Sequence, residues 1–190
     1  MASYAKSSVI LSSLVFLCYF MTGCASFTVS NYGVSTDNVL ALKKFSEKGQ
    51  KISVGEFTAA KPGEKTIFCR GAGNVKVSGE HSFESYIREA FINELKLGEL
   101  YAPKSETEIK GFLDEIEMGS FNPGKWRIRM TFSSQGKEPF SVESVYEFPS
   151  HWIAEHACQK VAQEFVPAVQ KFIKTVIEKQ EFQDIMRKKM

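Results

Sequence analysis

The chain lacks a charge excess of either sign. Its 190 residues carry 24 Lys and Arg against 22 Asp and Glu, a formal net charge of +2. Nucleic-acid-binding domains show a clear basic excess, so no nucleic-acid partner is expected. Histidine is scarce: His81, His151 and His156 are the whole set. A zincin helix needs two His at i and i+4, but His151 and His156 are five apart and no HExxH occurs. The GxSxG elbow of a hydrolase is missing. So is the Walker pattern, and Gly71-Ala72-Gly73 lacks the third glycine and the strand-to-helix setting of a dinucleotide loop. No metal and no cofactor is expected, and the chain is read as a non-enzyme. An enzymatic reading would rest on Cys69 as a nucleophile beside a His or carboxylate.

Apolar residues make up 43% of the chain and charged residues 24%, an ordinary globular balance. The length suits one domain that removes roughly two-thirds of its unfolded surface from water. One dense basic cluster, Arg187 to Lys189, ends the chain. It reads as a solvated helix end, where cations suit the dipole, or as a contact with an anionic membrane surface.

The N-terminus is more specific. Lys6 precedes a stretch, Ser7 to Gly23, with no charge, and its apolar centre runs from Val9 to Met21. A spanning helix needs about 20 apolar residues. This run is shorter and polar residues follow at once, which fits a signal peptide. Met21-Thr22-Gly23-Cys24 resembles the lipobox of bacterial lipoproteins. The resemblance implies cleavage between Gly23 and Cys24, with acylation of Cys24. An ordinary cleaved signal and an uncleaved anchor are the alternatives. Several acyl chains make a stable anchor where one binds marginally. Ala25, where an Asp would favour retention, resembles the pattern that permits export to the outer membrane. Anchoring at the inner membrane or the cell surface is the other outcome.

With Cys18 in the signal and Cys24 lipidated, Cys69 and Cys158 remain. They are an even pair in a compartment where disulfides persist. A disulfide is expected, with a buried thiol at Cys158 as the alternative.

Residues 24–50 are expected to be the lipidated N-terminus and a tether, with a short helical segment near Val39 to Phe45. Ile52 to Phe57 reads as a strand with a bulge at Gly55. Thr66 to Cys69 and Val75 to Val77 read as short extended pieces. Ser82 is suited to cap a helix whose stripe is Phe83, Tyr86, Ile87, Ala90, Phe91, Glu94 and Leu95. Gly98 is suited to the left-handed C′ position, with Leu100 packing back. Thr107 to Met118 is extended. Trp126 to Ser133 and Phe140 to Phe148 alternate apolar with polar and form a hairpin. A last long helix, capped by Ser150, carries Ala154, Cys158, Val161, Phe165, Val169, Phe172, Val176 and Ile177, with a kink or break before Pro167.

This pattern predicts an α+β two-layer sandwich: an antiparallel sheet packed against two long amphipathic helices. The expected division is a signal peptide over 1–23, the tether over 24–50, and a single α+β domain over 51–190. On the sheet's wet face Glu115 and Glu117 are expected side by side, with Asp114 pointing away. Arg127 and Arg129 follow on the next strand, close enough for cross-strand pairing or for binding a partner.

The whole resembles, in plan, the small α+β lipoproteins that assist outer-membrane assembly or envelope transport. That resemblance implies a lipid-anchored, periplasm-facing protein of the bacterial outer membrane. It would be a non-enzymatic accessory or assembly protein with an envelope protein as partner. The alternative is a periplasmic binding module for a lipid or other apolar ligand.

Overall fold

The alternating residues from Trp126 to Phe148 build the centre of the fold. The computed structural model describes residues 26–187. Its strands are β1 (Ser26–Thr28), β2 (Ser53–Ala59), β3 (Thr66–Cys69), β4 (Gly73–Lys76), β5 (Glu108–Gly119), β6 (Gly124–Ser134) and β7 (Phe140–Phe148). Its helices are α1 (Thr36–Ser46), α2 (Phe83–Leu97), α3 (Ala154–Gln163), α4 (Phe165–Glu178) and α5 (Gln180–Met186). No helix among the described residues is long and apolar enough to cross a membrane.

The α+β class holds, but the sheet is not purely antiparallel. The main sheet has the order β2-β5-β6-β7. Its β5-β6 and β6-β7 pairs are antiparallel, whereas β2 pairs β5 in parallel. A parallel pair needs a crossover, and the segment between β2 and β5 supplies it: the small strands and α2. A second, three-stranded sheet has the order β1-β4-β3, with β1 parallel and β3 antiparallel to β4.

The helical layer also differs from two long helices. The C-terminal helix is broken twice. The first break, at Glu164, falls just before Pro167, which stands in the first turn of α4 where its missing amide is tolerated. The second is at Lys179, whose backbone is extended (ψ 134°); no proline or glycine announces it. Ser150 does not cap α3. The N-cap is Ile153, without a side-chain bond, and the Ser150 hydroxyl donates to the Ser120 carbonyl at 2.6 Å.

The segment expected as a tether belongs to the body from residue 26 onward: Val29 and Leu42 are fully buried in the core. A buried carboxylate holds it. Glu94, the one polar member of the α2 stripe, is wholly buried. It accepts from the Tyr32 hydroxyl (2.5 Å), the Ser35 amide (3.0 Å) and the Asn38 side chain (3.3 Å). The Asn38 amide also donates to the Gln170 carbonyl of α4. Burial, and then the bond to Glu94, push the Tyr32 hydroxyl well above its usual range.

Inside, the core is aromatic. Phe165 lies 4.7 Å from Trp126 and 5.6 Å from Phe83, centroid to centroid. The buried Trp126 indole donates to the Val161 carbonyl at 2.9 Å, which meets the need of a buried N–H. Phe132 packs among Phe57, Phe91, Phe140 and Phe172. The bulge expected at Gly55 is present as a register shift between Val54 and Phe57. Arg88 of α2 donates to the carbonyls of Gly55 (2.6 Å) and Val54 (3.0 Å), so the irregular backbone there is not left unpaired.

Candidate functional site

Cys24 lies outside the described residues. Cys69 and Cys158 are bonded, with Cα atoms 5.9 Å apart. The bridge joins the end of β3 to the first half of α3, and both residues are fully buried. Neither is therefore a free thiol, and Cys69 is not available as a nucleophile. His81 is paired with Glu89 at 3.1 Å, and the rings of His151 and His156 are 6.0 Å apart.

Two surfaces stand out. The first is the outer face of the main sheet. Glu115 lies opposite Arg129, and their side chains meet at 3.0 Å. Glu117 lies opposite Arg127, whose Nε sits 3.8 Å from Glu143 of β7. Asp114 does not point away as a regular strand would require. The register shifts between Leu113 and Glu115, and this bulge brings the Asp114 carboxylate to the Thr131 hydroxyl at 2.9 Å. Thr131 and Arg129 share a face of β6, so both acids serve the same surface. On that face Phe112 is 41% exposed, flanked by Thr58 of β2 and Thr131 of β6. The two charge pairs lie to one side of Phe112 along the strands, and the Lys110–Glu108 pair (3.3 Å) lies to the other.

The second surface was not anticipated from the sequence. Three loops meet at one end of the body. Arg70, in the β3–β4 turn, donates to the carbonyls of His151 and Trp152, each at 3.2 Å. Its guanidinium also lies 3.9 Å above the Phe121 ring of the β5–β6 turn. The Ser150 amide donates to the Asn122 side chain at 3.3 Å, closing the triangle. These stitched loops hold apolar side chains in water: Trp152 is 98% exposed, Phe121 71% and Ile153 62%. Phe68 of β3, next to the disulfide, is 67% exposed. The available signal was Trp152-Ile153 and Phe121 standing in turn sequences, outside any strand or helix periodicity.

Two clefts open on the described surface. One, of about 190 Å³, is lined by Lys61, Glu64, Glu84, Glu115 and Glu117 among others. The Glu84 carboxylate takes the Gly63 amide at 2.8 Å there. The other, of about 560 Å³, is open and about half apolar, lined by Gln50, Lys51, Glu106, Lys137, Ile185 and Met186 among others. Sites for drug-sized apolar ligands are predominantly apolar and about 300–1,000 Å³. The first cleft is smaller than that, and the second is open and not predominantly apolar.

No family model and no curated protein matches the chain. Solved structures do match. One is the crystal structure of a Xanthomonas campestris protein of the DUF330 family, with a TM-score of 0.47 at 8% identity, covering 70% of this chain and 88% of that one. A second, of an uncharacterized protein, gives a TM-score of 0.45 at 9% identity, covering 79% and 98%. At these scores the likeness carries no functional reading.

Proposed function

We propose that this chain is a lipid-anchored, periplasm-facing lipoprotein of a bacterial outer membrane. It acts as a non-enzymatic accessory or assembly protein through protein contacts. The observation that supports this reading is the open outer face of the main sheet, where exposed Phe112 has the Glu115–Arg129 and Arg127–Glu143 pairs to one side and the Lys110–Glu108 pair to the other. Charge pairs that are satisfied on the surface add little stability, about 0–1 kcal/mol each. Flanking an apolar centre, they suit recognition by a complementary partner and discrimination against others. The lipobox at Met21 to Cys24 supplies the anchor.

The test has two arms. Labelled palmitate should enter the wild-type chain and not a Cys24→Ser variant. A photo-crosslinking residue placed at Phe112, Glu117 or Glu143 in intact envelopes should give one discrete adduct. The same probe at Leu40, exposed on α1, should not. Crosslinks from Leu40 alone, or an adduct unchanged by joint Glu115→Arg and Arg129→Glu reversal with Phe112→Ser, would discard the sheet face as the contact.

A further inference from the structure

The end of the molecule that carries Trp152 is also the end where the anchor enters. Ser26, the first described residue, pairs with Asn74. Phe68 pairs with the same Asn74 from the other side. Ser26 and Phe68 are therefore two strand spacings apart, about 10 Å, and point to the same face of the small sheet. Cys24 precedes Ser26 by two residues, a reach of at most about 7 Å. An acylated Cys24 thus has almost no slack, and whatever surrounds Ser26 must lie against the bilayer.

The stitched loop cluster lies at this end, because Asn74 closely follows the β3–β4 turn that Arg70 ties to residues 121, 151 and 152. Of the seven large apolar side chains exposed among the described residues, four are here: Phe68, Phe121, Trp152 and Ile153. We propose that these four side chains dip into the interfacial layer of the membrane that holds the anchor, fixing the orientation of the body above it. This rests on the anchor reading given above. Aromatic rings, tryptophan above all, favour the headgroup level of a bilayer. The loops are braced for this use: the Cys69–Cys158 bridge, the Arg70 bonds to residues 151 and 152, and the Ser150 bonds to residues 120 and 122 hold their tips in place. Arg70 is engaged within the cluster, so insertion is apolar in character and should depend little on anionic lipid.

The orientation puts Arg187 far from the membrane. Arg187 lines the cleft beside Ser134, Gln135 and Lys137, at the β6–β7 turn. The β5–β6 turn, which carries Phe121, is at the other end of the eleven residues of β6, about 35 Å away. Arg187, the described residue of the basic cluster, is thus away from the membrane, and the outer sheet face is left free for a partner.

The two tryptophans give the experiment. Trp126 is fully buried and Trp152 is almost fully exposed, so a Trp126→Phe variant leaves Trp152 as sole reporter, and Trp152→Phe serves as the control. Full-length lipidated protein is reconstituted in phosphatidylcholine vesicles carrying bromine at graded depths on the acyl chains. The expected result is a blue-shifted Trp152 emission, quenched most by bromines about 5–10 Å below the headgroups and unchanged when phosphatidylglycerol is added. Protein that floats with the vesicles but shows unshifted, unquenched Trp152 overturns the placement and leaves the anchor intact. Trp152 protected only in crosslinked envelopes, by a protein adduct, overturns it in favour of a protein partner. Failure to float together with failure to take up palmitate overturns the anchor reading, and the placement with it.

Discussion

At the scale of single residues, the stop of α2 shows how neighbouring positions divide two tasks. Its hydrogen bonds form a Schellman motif: Leu100 N–H to Leu95 C=O at 2.8 Å, and Glu99 N–H to Lys96 C=O at 3.0 Å. The left-handed residue is Glu99, with φ +59°, not Gly98 as expected. Gly98 has an ordinary backbone (φ −75°). It must be glycine because a Cβ there would sit 2.7 Å from the Cβ of Leu42 on α1. Glycine is thus explained by a close approach and the positive φ is borne by a glutamate, at a cost of about 1–2 kcal/mol. Glu99→Gly should stabilise the protein by about 0.5 kcal/mol, the relief less the added chain entropy of glycine. Gly98→Ala should destabilise it by about 1–3 kcal/mol through overpacking. Urea midpoints of the two variants on opposite sides of wild type would bear this out. A neutral Gly98→Ala would show that α1 can shift away from α2.

At the scale of elements, Glu94 decides whether the N-terminal segment is a tether or part of the body. Its carboxylate gathers donors from Tyr32, Ser35 and Asn38, and Gln170 of α4 donates to the Gly33 carbonyl at 2.7 Å. Glu94→Ala removes charge-assisted bonds worth about 1.5–3 kcal/mol each and strands buried donors. Amide exchange over residues 30–46 should accelerate at least tenfold, about 1.4 kcal/mol, while exchange in β6 follows only the global loss. Equal acceleration everywhere would mean that α1 does not open on its own. Glu94 also marks where sequence reading reached its limit. The β6–β7 hairpin and the α2 stripe were legible because their period is local: every second residue of β6 faces the core. The docking of residues 30–46 was not, because it depends on polar groups 56–62 positions apart. The same holds for the parallel β2–β5 pair, which joins Val54 to Ile109, and for the Asp114 bulge, which reversed one side chain.

At the scale of the whole molecule, the disulfide ties the small sheet, where the described chain begins, to α3. The described chain begins with β1, and among the described residues β1 pairs only with β4. Among the described residues the small sheet makes no strand pair with the main one, so it is held by packing, by the Arg70 bonds and by the Cys69–Cys158 bridge to α3. The pair was legible by subtraction: with Cys18 read as part of a signal peptide and Cys24 as the lipidated residue, two cysteines remained. Closing a loop with a sequence separation of 89 residues raises the free energy of the unfolded chain, and removing such a bridge costs about 2–5 kcal/mol. Joint replacement of Cys69 and Cys158 by Ala should therefore lower the urea midpoint by that amount over the m-value, with Trp126 emission as the probe. The exposed loops are braced by the same bridge, so the doubly substituted protein should also lose the fixed geometry of Arg70 over Phe121. On vesicles its Trp152 would then sample a spread of depths instead of one. An unchanged midpoint would mean that packing alone holds the small sheet to α3, and the bridge would then serve only to fix the loops of the proposed membrane contact.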